Sequence, residues 1–181
     1  MKAVIISGTP GTGKTTLSTK LAKRLDYYYL DVNRLISEYK LYESYDRKRK
    51  TKVVDIDKLN KALIKEINTL TKKYINERLN KKISINYKKS KKLNGIIIDS
   101  HLSHYLPKKY VKLCIITKCG INELNKRLKK KRYGKNKIQE NLQAEIFDIC
   151  LNEAKERKHK IMAVDTTKGF NIKAIARKIG D

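Results

Sequence analysis

The sequence predicts an α/β fold in which a parallel sheet lies between layers of helices. Short apolar runs typical of buried strands alternate with longer amphipathic stretches typical of helices, which is the pattern of β-α-β units. The first apolar run leads directly into a glycine-rich loop and then into a helical stretch. With 181 residues, the chain has the length of one domain, and we expect a single domain over 1–181.

Five strands are predicted from apolar or β-branched runs: Lys2–Ser7, Tyr27–Asp31, Gly95–Asp99, Leu113–Thr117 and Lys160–Asp165. Six helices are predicted from amphipathic periodicity: Lys14–Leu25, Val32–Tyr39, Asp57–Asn80, Asn122–Lys130, Lys137–Lys158 and Asn171–Ile179. In the helix over 137–158, apolar residues at helical spacing predict a stripe that faces the core: Ile138, Leu142, Ile146, Ile149 and Ala154.

The glycine-rich loop has the spacing of a P-loop, Gly8-Thr9-Pro10-Gly11-Thr12-Gly13-Lys14-Thr15. Its glycines let backbone N–H groups close around phosphate oxygens, and the helix that follows directs the positive end of its dipole at the same anion. In this motif the lysine, Lys14, reaches the β- and γ-phosphates, and the hydroxyl of Thr15 can bind Mg²⁺. The loop therefore predicts a nucleoside triphosphate site.

A carboxylate at the end of a neighbouring strand completes such a site by holding Mg²⁺ through its water shell. The apolar run 95–98 ends on Asp99, which fits that role, although an acid at a strand end can also be a simple turn former. His101 follows two residues later, so strand alternation directs it to the same side as Asp99. We expect His101 to order the attacking water or the acceptor, or to adjust the Mg²⁺ shell.

A basic stretch, Arg127-Leu128-Lys129-Lys130-Lys131-Arg132-Tyr133-Gly134-Lys135, lies between the fourth predicted strand and the helix over 137–158. P-loop kinases of small molecules carry a basic lid at this position, which excludes water and neutralises charge on the transferred phosphoryl group. We interpret the stretch as a lid over about 130–140; a solvated basic helix end is the simpler interpretation.

The composition is strongly basic, with 44 Lys and Arg against 18 Asp and Glu and a net charge of +26. Such a charge favours polyanionic partners such as RNA. A composition rich in Lys, Ile, Asn and Tyr can also arise from AT-rich coding alone. Much of the charge falls in a basic insert over about 69–94, whose Lys88, Lys89, Lys91 and Lys92 form either an RNA-facing arm or a solvated loop.

The three cysteines, Cys114, Cys119 and Cys150, lack the spacing of a zinc motif or a redox pair, so we expect free thiols in a reducing compartment. No apolar run reaches the roughly 20 residues that cross a bilayer. The chain begins directly with a predicted strand, and we expect no signal peptide. These features predict a cytoplasmic protein without a membrane partner.

Four stretches together resemble the adenylate kinase isoenzyme 6 family of P-loop nucleoside-monophosphate kinases and ribosome-assembly ATPases. They follow the order of the family and span nearly the whole chain: 8–16, 41–46, Ile98-Asp99-Ser100-His101 and 137–147. The third is similar to the Asp-x-His signature of the family. The fourth is similar to the run that follows its lid. The resemblance implies a nucleoside-monophosphate kinase fold with a five-stranded parallel sheet, an acceptor segment over about 32–55, and the lid.

By this resemblance the chain transfers phosphate from ATP to AMP or a related monophosphate with Mg²⁺, and acts as an ATPase in small ribosomal subunit assembly, with a ribosomal protein or rRNA as partner. An ATPase switch with a secondary kinase reaction is the alternative. The resemblance assigns catalysis to Lys14, Asp99 and His101, and Mg²⁺ binding to Thr15 and Asp99. Its ATP-binding residues are Gly11, Gly13, Lys14, Thr15, Thr16, Lys131 and Arg132, and its acceptor-binding residues are Asn33, Leu35, Tyr42 and Asp46.

The chain departs from the family at two points. The lid of the family usually reads Arg-Gly-Tyr, and in the same register this chain has Lys131-Arg132-Tyr133. The arginine is therefore either replaced by Lys131 or shifted to Arg132, and only arginine can grip phosphate with two parallel hydrogen bonds. The segment before Gly95 is also longer than in the family, and the excess is the basic insert.

Overall fold

A computed structural model describes residues 1–47, 51–83 and 94–180. Five parallel strands form its central sheet: β1 (Ala3–Ser7), β2 (Tyr28–Asp31), β5 (Ile96–Asp99), β6 (Val111–Lys118) and β7 (Ile161–Asp165). Their order across the sheet is β2-β5-β1-β6-β7. A separate antiparallel hairpin joins β3 (Tyr42–Asp46) to β4 (Thr51–Val54). The predicted α/β class and the five parallel strands are confirmed.

Seven α-helices are present in the described residues: α1 (Lys14–Leu25), α2 (Val32–Glu38), α3 (Ile56–Ile83), α4 (Ile121–Lys130), α5 (Lys135–Ile146), α6 (Ile149–Glu156) and α7 (Ile172–Gly180). Five of them match predicted helices to within three residues at each end. The single helix predicted over 137–158 is wrong. The helix is interrupted after Phe147 because Asp148 adopts a left-handed backbone conformation with φ of 53°, which an α-helix cannot contain.

The strands at the centre of the sheet are buried on both faces, as parallel strands between helices must be. In β1, Ala3 and Ile5 pack into one core cluster and Val4 and Ile6 into another. The first cluster also contains buried residues of α3 and α6, and the second contains buried residues of α1 and α7. The two-residue alternation of β1 therefore places helices on both faces of the sheet.

The predicted core stripe of the helix over 137–158 is also wrong for two of its five residues. The exposed fractions of Ile146 and Ile149 are 58% and 42%, while Asn141 and Glu145 are buried in their place. The inward face of α5 is polar because Glu145 meets hydrogen-bond donors from the glycine-rich loop and from the end of β6. These bonds offset the cost of burying the carboxylate.

The basic insert is described only in part. Its first residues continue α3 to Ile83, three residues beyond the predicted end at Asn80. The alternation in Ile83-Ser84-Ile85-Asn86-Tyr87 predicts a short strand from the sequence. Residues 84–87 of that stretch, with Lys88, Lys89, Lys91 and Lys92, lie outside the described part of the chain, and Ile83 ends α3. No helix in the described ranges is both long enough and apolar enough to span a membrane.

Candidate active site

A cleft of about 840 Å³ opens at the carboxyl ends of β1 and β5. In a parallel α/β sheet this is the edge at which ligands bind. The glycine-rich loop forms its floor, Asp99 and His101 form one wall, and the opposite wall comes from the end of α4 and the loop after β7. The lining includes Gly11, Gly13, Lys14, Thr15, Thr16, Asn33, Asp99, His101, Arg127, Lys131, Tyr133, Thr166 and Phe170.

The conformation of the glycine-rich loop follows from positions at which only glycine fits. Gly8 has a φ of +134°, and a Cβ atom there would lie 2.5 Å from the backbone oxygen of Thr117. Gly13 has a φ of +88° at the start of α1. A hydrogen bond of 2.7 Å from the Thr12 hydroxyl to the Thr9 carbonyl closes the loop further. The loop thus presents backbone N–H groups to the cleft, as an anion site requires.

Lys14 lies across this loop. Its Nζ atom donates to the carbonyl oxygens of Gly8, at 2.7 Å, and Thr9, at 3.0 Å. Burial lowers the pKa of Lys14 from 10.5 to about 8, and the nearby Asp99 carboxylate opposes part of that shift. An ammonium group held in a cleft with a weak solvent shell is well placed to interact with an anion.

Asp99 is buried at the end of β5, with an exposed fraction of 4%. Burial raises the pKa of Asp99, while hydrogen bonds from the hydroxyls of Thr15 and Tyr29 act in the opposite direction. The Tyr29 hydroxyl donates to Oδ2 of Asp99 over 3.0 Å. Sequence analysis missed Tyr29; its side chain can be placed beside Asp99 only once β2 is known to pair with β5.

His101 lies in the cleft two residues beyond Asp99. Enclosure by the cleft walls holds the pKa of His101 below its ordinary value, and the Lys14 ammonium adds to this effect. The imidazole is therefore neutral at pH 7, in which state one ring nitrogen donates a hydrogen bond and the other accepts one. Asp99, His101 and Lys14 all line the same cleft, as the sequence predicts.

The predicted lid contributes three cations to the cleft, Lys130, Lys131 and Lys137. Lys131 lines it, whereas Arg132 is not among the lining residues. Arg132 has a φ of +56°, a left-handed conformation that favours glycine. Arg127, which sequence analysis included in the basic stretch without a role, also lines the cleft and donates to the backbone oxygen of Thr166 at 2.9 Å.

Glu145 connects the lid region to the glycine-rich loop. Its buried carboxylate accepts hydrogen bonds from the Thr9 hydroxyl, at 2.6 Å, and from the backbone N–H of Cys119, at 2.9 Å. Lys118 forms an ion pair with the same carboxylate at 3.0 Å. Glu145 lies in the last turn of α5, which begins inside the predicted lid at Lys135, so this contact ties the helix that carries the end of the lid to the phosphate loop. Sequence analysis missed Glu145.

The four predicted acceptor residues are not brought together. Asn33 lines the cleft. Leu35 is buried in the core and borders a second, smaller cavity of about 330 Å³. Tyr42 and Asp46 lie on the hairpin strand β3 and are not among the described residues that line the cleft.

Comparison with known proteins agrees with this geometry. A family described as an AAA domain matches residues 4–148. A "Putative adenylate kinase" of Methanocaldococcus jannaschii is 35% identical over 164 residues, which is 91% of this chain and 76% of the relative. An "Adenylate kinase isoenzyme 6 homolog" of Caenorhabditis elegans is 28% identical over 84% of this chain and 72% of its own length. The chain belongs to the adenylate kinase isoenzyme 6 family. The resemblance carried by the four sequence stretches is thereby confirmed.

Solved structures support the fold of this family member. Deoxyadenosine kinase from M. mycoides, in a structure with bound dATP, has a TM-score of 0.53 at 15% identity and covers all of both chains. Shikimate kinase from Acinetobacter baumannii has a TM-score of 0.54 at 14% identity, covering 99% of this chain and 90% of its own. At such identities the likeness concerns the fold alone. Together with its family, the P-loop kinase fold makes the chain a phosphotransferase, and that prediction is confirmed.

Proposed function

We propose that this protein is a nucleoside-monophosphate kinase that transfers the γ-phosphoryl group of ATP to AMP. The observation that carries the proposal is the cleft that brings together the glycine-rich loop with Lys14, the paired Asp99 and His101, and the basic residues of the lid. Relatives described as adenylate kinases favour AMP over other acceptors. We likewise propose a single domain over 1–181, with an acceptor segment over about 32–55 and a lid over about 130–140.

The proposed roles follow from where the side chains lie. Backbone N–H groups from Gly11 to Thr16 would hold the phosphates of ATP. Lys14 would exchange its contacts with Gly8 and Thr9 for phosphate oxygens. It would then stabilise charge on the β–γ bridging oxygen while the bond from that oxygen to γ-phosphorus breaks. A phosphate oxygen of AMP forms the new bond to γ-phosphorus, and two molecules of ADP result.

The donor set beside Lys14 fits Mg²⁺. The Thr15 hydroxyl and the Asp99 carboxylate lie within hydrogen-bonding reach of each other and supply the hard oxygen ligands that Mg²⁺ prefers. Thr15 would bind the ion directly and Asp99 through water. When bound, Mg²⁺ neutralises part of the negative charge on the β- and γ-phosphates. Neutral His101 would donate or accept a hydrogen bond to orient the acceptor phosphate.

The direct test is a turnover panel. ATP with Mg²⁺ is supplied alone, with each nucleoside monophosphate in turn, and with a small-subunit ribosomal protein. The proposal predicts ADP formation that depends on AMP and exceeds hydrolysis of ATP alone. A rate that no monophosphate increases would contradict it.

The lowered pKa of Lys14 predicts a pH dependence of ATP binding. Phosphate anions favour the ammonium form, and free Lys14 loses its proton above about pH 8. ATP affinity is therefore expected to stay constant between pH 6.5 and 8 and to fall by up to about tenfold per pH unit above pH 8. Calorimetric titration across this range measures the profile. Lys14→Met is the reference, and its weaker binding should show no fall above pH 8.

A pair of lid variants tests which basic residue contacts ATP. Lys131→Ala is expected to raise KM for ATP by about tenfold, a loss of roughly 1.4 kcal/mol, because Lys131 lines the cleft. Arg132→Gly should leave KM unchanged and raise the free energy of unfolding by up to about 1 kcal/mol, since it relieves a left-handed arginine. Steady-state kinetics and urea unfolding measure both. If Arg132→Gly raised KM for ATP and Lys131→Ala did not, the contact with ATP would belong to Arg132.

A second candidate function rests on the charge of the chain. The net charge of +26 favours an RNA or ribonucleoprotein partner. We therefore also propose an ATPase role on a ribosomal protein or rRNA during small-subunit assembly.

The RNA part of this candidate is tested by replacing Lys88, Lys89, Lys91 and Lys92 together with Ser. AMP kinase activity should not change, because none of the four is among the residues proposed to bind ATP, AMP or Mg²⁺ or to take part in catalysis. RNA affinity should fall, and the slope of log affinity against log salt should flatten by roughly 0.7 to 0.9 for each phosphate that the variant no longer neutralises. If RNA affinity and its salt dependence did not change in this variant, the segment would be a solvated loop without a role in RNA binding.

A further inference from the structure

Beside the start of the glycine-rich loop, and not among the described residues that line the cleft, three side chains of different chemistry converge. His104 comes from the turn after β5, and Cys150 and Glu153 lie one turn apart on α6. Their ligand atoms all lie within 4.8 Å of one another. His104 is buried, while Cys150 and Glu153 are partly buried. Neither the proposed kinase reaction nor the family assignment gives these residues a role.

We infer that His104, Cys150 and Glu153 form a binding site for a divalent transition-metal ion of the zinc class. Imidazole, thiolate and carboxylate are the three zinc ligands found in proteins, and three of them leave a fourth tetrahedral position for water. At usual zinc bond lengths of about 2.0 to 2.3 Å, tetrahedral ligand atoms lie roughly 3.5 Å apart. To reach that value, the His104–Glu153 pair would have to open slightly from 2.8 Å, and the Cys150 sulfur, now within 4.8 Å of both other ligand atoms, would have to approach.

The surroundings hold two of the ligands in place. The Ser7 hydroxyl lies 2.7 Å from Nδ1 of His104, and the Tyr105 hydroxyl donates to Oε1 of Glu153 at 2.7 Å. These contacts leave Nε2 of His104 and Oε2 of Glu153 facing each other at 2.8 Å. Metal-binding histidines and carboxylates are characteristically oriented by such outer contacts. Burial keeps the pKa of His104 below its ordinary value, so the ring is neutral, as a metal ligand must be.

Ser7 can accommodate the change of tautomer that metal binding requires. Without a metal, Nε2–H of His104 donates to Glu153, and Nδ1 accepts from the Ser7 hydroxyl. With a metal on Nε2, the proton must sit on Nδ1 and donate to the Ser7 oxygen. The Ser7 hydroxyl then still has an acceptor, the backbone oxygen of His101, at 3.2 Å. Each of these polar groups therefore keeps a hydrogen-bond partner in both states.

The charge balance is also favourable. Binding releases the thiol proton of Cys150 to solvent and forms a metal–sulfur bond, and Glu153 contributes a second negative charge. A divalent ion with one thiolate and one carboxylate is neutral overall, so the nearby Lys14 ammonium does not oppose it. Burial raises the pKa of the Cys150 thiol to about 11, and the backbone N–H of Gly8, which donates to the sulfur, opposes part of that rise. The ion would therefore stabilise the base of the glycine-rich loop.

The test uses the reduced, nucleotide-free full chain and Co²⁺ as a spectroscopic substitute for Zn²⁺. We expect one equivalent of Co²⁺ to produce a thiolate-to-metal charge-transfer band, and Zn²⁺ to remove it. Co²⁺ bound at Thr15 and Asp99 would give no such band, because those ligands are oxygens. Cys150→Ser should abolish the band, and Cys119→Ser, the control, should keep it. Absence of the band in the wild type, or its persistence in Cys150→Ser, overturns the inference.

Two further measurements cover the case in which Cys150→Ser folds poorly. Glu153→Gln keeps the partners of Tyr105 and His104 but weakens one ligand, so Co²⁺ affinity should fall at least tenfold while the band remains at saturation. Zn²⁺ should also raise the thermal midpoint of the wild type, as any ligand specific to the native state does. Unchanged Co²⁺ affinity in Glu153→Gln, or an unchanged midpoint of the wild type with Zn²⁺, contradicts the site.

Discussion

Lys14→Ala is expected to reduce AMP-dependent ADP formation by about 10² to 10³-fold, the loss typical of removing one preorganised donor to developing charge. The side chain lies in the cleft, where its Nζ atom donates to the carbonyl oxygens of Gly8 and Thr9. Its removal should leave the fold intact, since the packing of α1 rests on residues such as Leu17 and Leu21. Coupled-enzyme kinetics measure the rate, and a thermal melt verifies folding.

Lys23→Ala is the matched control, because Lys23 is an exposed lysine of the same helix that does not line the cleft. It should keep the full rate. A well-folded Lys14→Ala protein with a rate close to wild type would show that the glycine-rich loop does not take part in phosphoryl transfer as proposed. Loss of activity in both variants would instead indicate a general effect of charge on the polyanionic substrate.

The parts of the site that sequence predicts are those with a local signature. The P-loop is continuous in the chain, and Asp99 follows an apolar run that only a buried strand explains. The fold class and the family could be predicted from the same stretches. This is because the spacing of glycines and the alternation within a strand can be recognised among residues that are neighbours in the sequence.

The parts that sequence misses are contacts between distant residues. Thr9 and Glu145 are 136 positions apart and meet at 2.6 Å, and no local pattern marks Glu145 as buried. Tyr29 reaches Asp99 across 70 positions. The predicted stripe over 138–154 failed at Ile146 because its neighbour Glu145 is buried in its place. It failed at Ile149 because the break at Asp148 starts a new helix, α6, at that residue.

The hairpin of β3 and β4 was missed for a different reason. Four of the five side chains of β3 are exposed, so no alternation of polar and apolar residues marks the strand. An exposed two-stranded ribbon is held by backbone hydrogen bonds and a few cross-strand contacts, such as the Lys52 ammonium 4.7 Å from the centre of the Tyr42 ring. A strand of this kind cannot be predicted from the alternation of polar and apolar residues.

Asp99→Asn and His101→Ala are each expected to lower kcat by about 10² to 10³-fold, with ATP affinity within about tenfold of wild type. Both side chains lie at one strand end beside the glycine-rich loop, but the loop itself holds the triphosphate. Asp99→Asn keeps an oxygen for the Tyr29 hydroxyl, so the site should keep its shape. Single-turnover rates measure the chemical step, and calorimetry measures binding.

The control for this pair is Asp31→Asn. Asp31 ends the neighbouring strand β2 opposite Asp99 and accepts a hydrogen bond from the backbone N–H of Asn33. Asparagine can accept the same bond, so this variant removes a charge from the strand edge without altering the cleft lining, and its kcat should stay close to wild type. If Asp99→Asn or His101→Ala lost affinity and rate in equal measure, the residue would act by holding nucleotide. Selective loss of kcat, with Asp31→Asn unaffected, would assign Asp99 and His101 to the transition state for phosphoryl transfer.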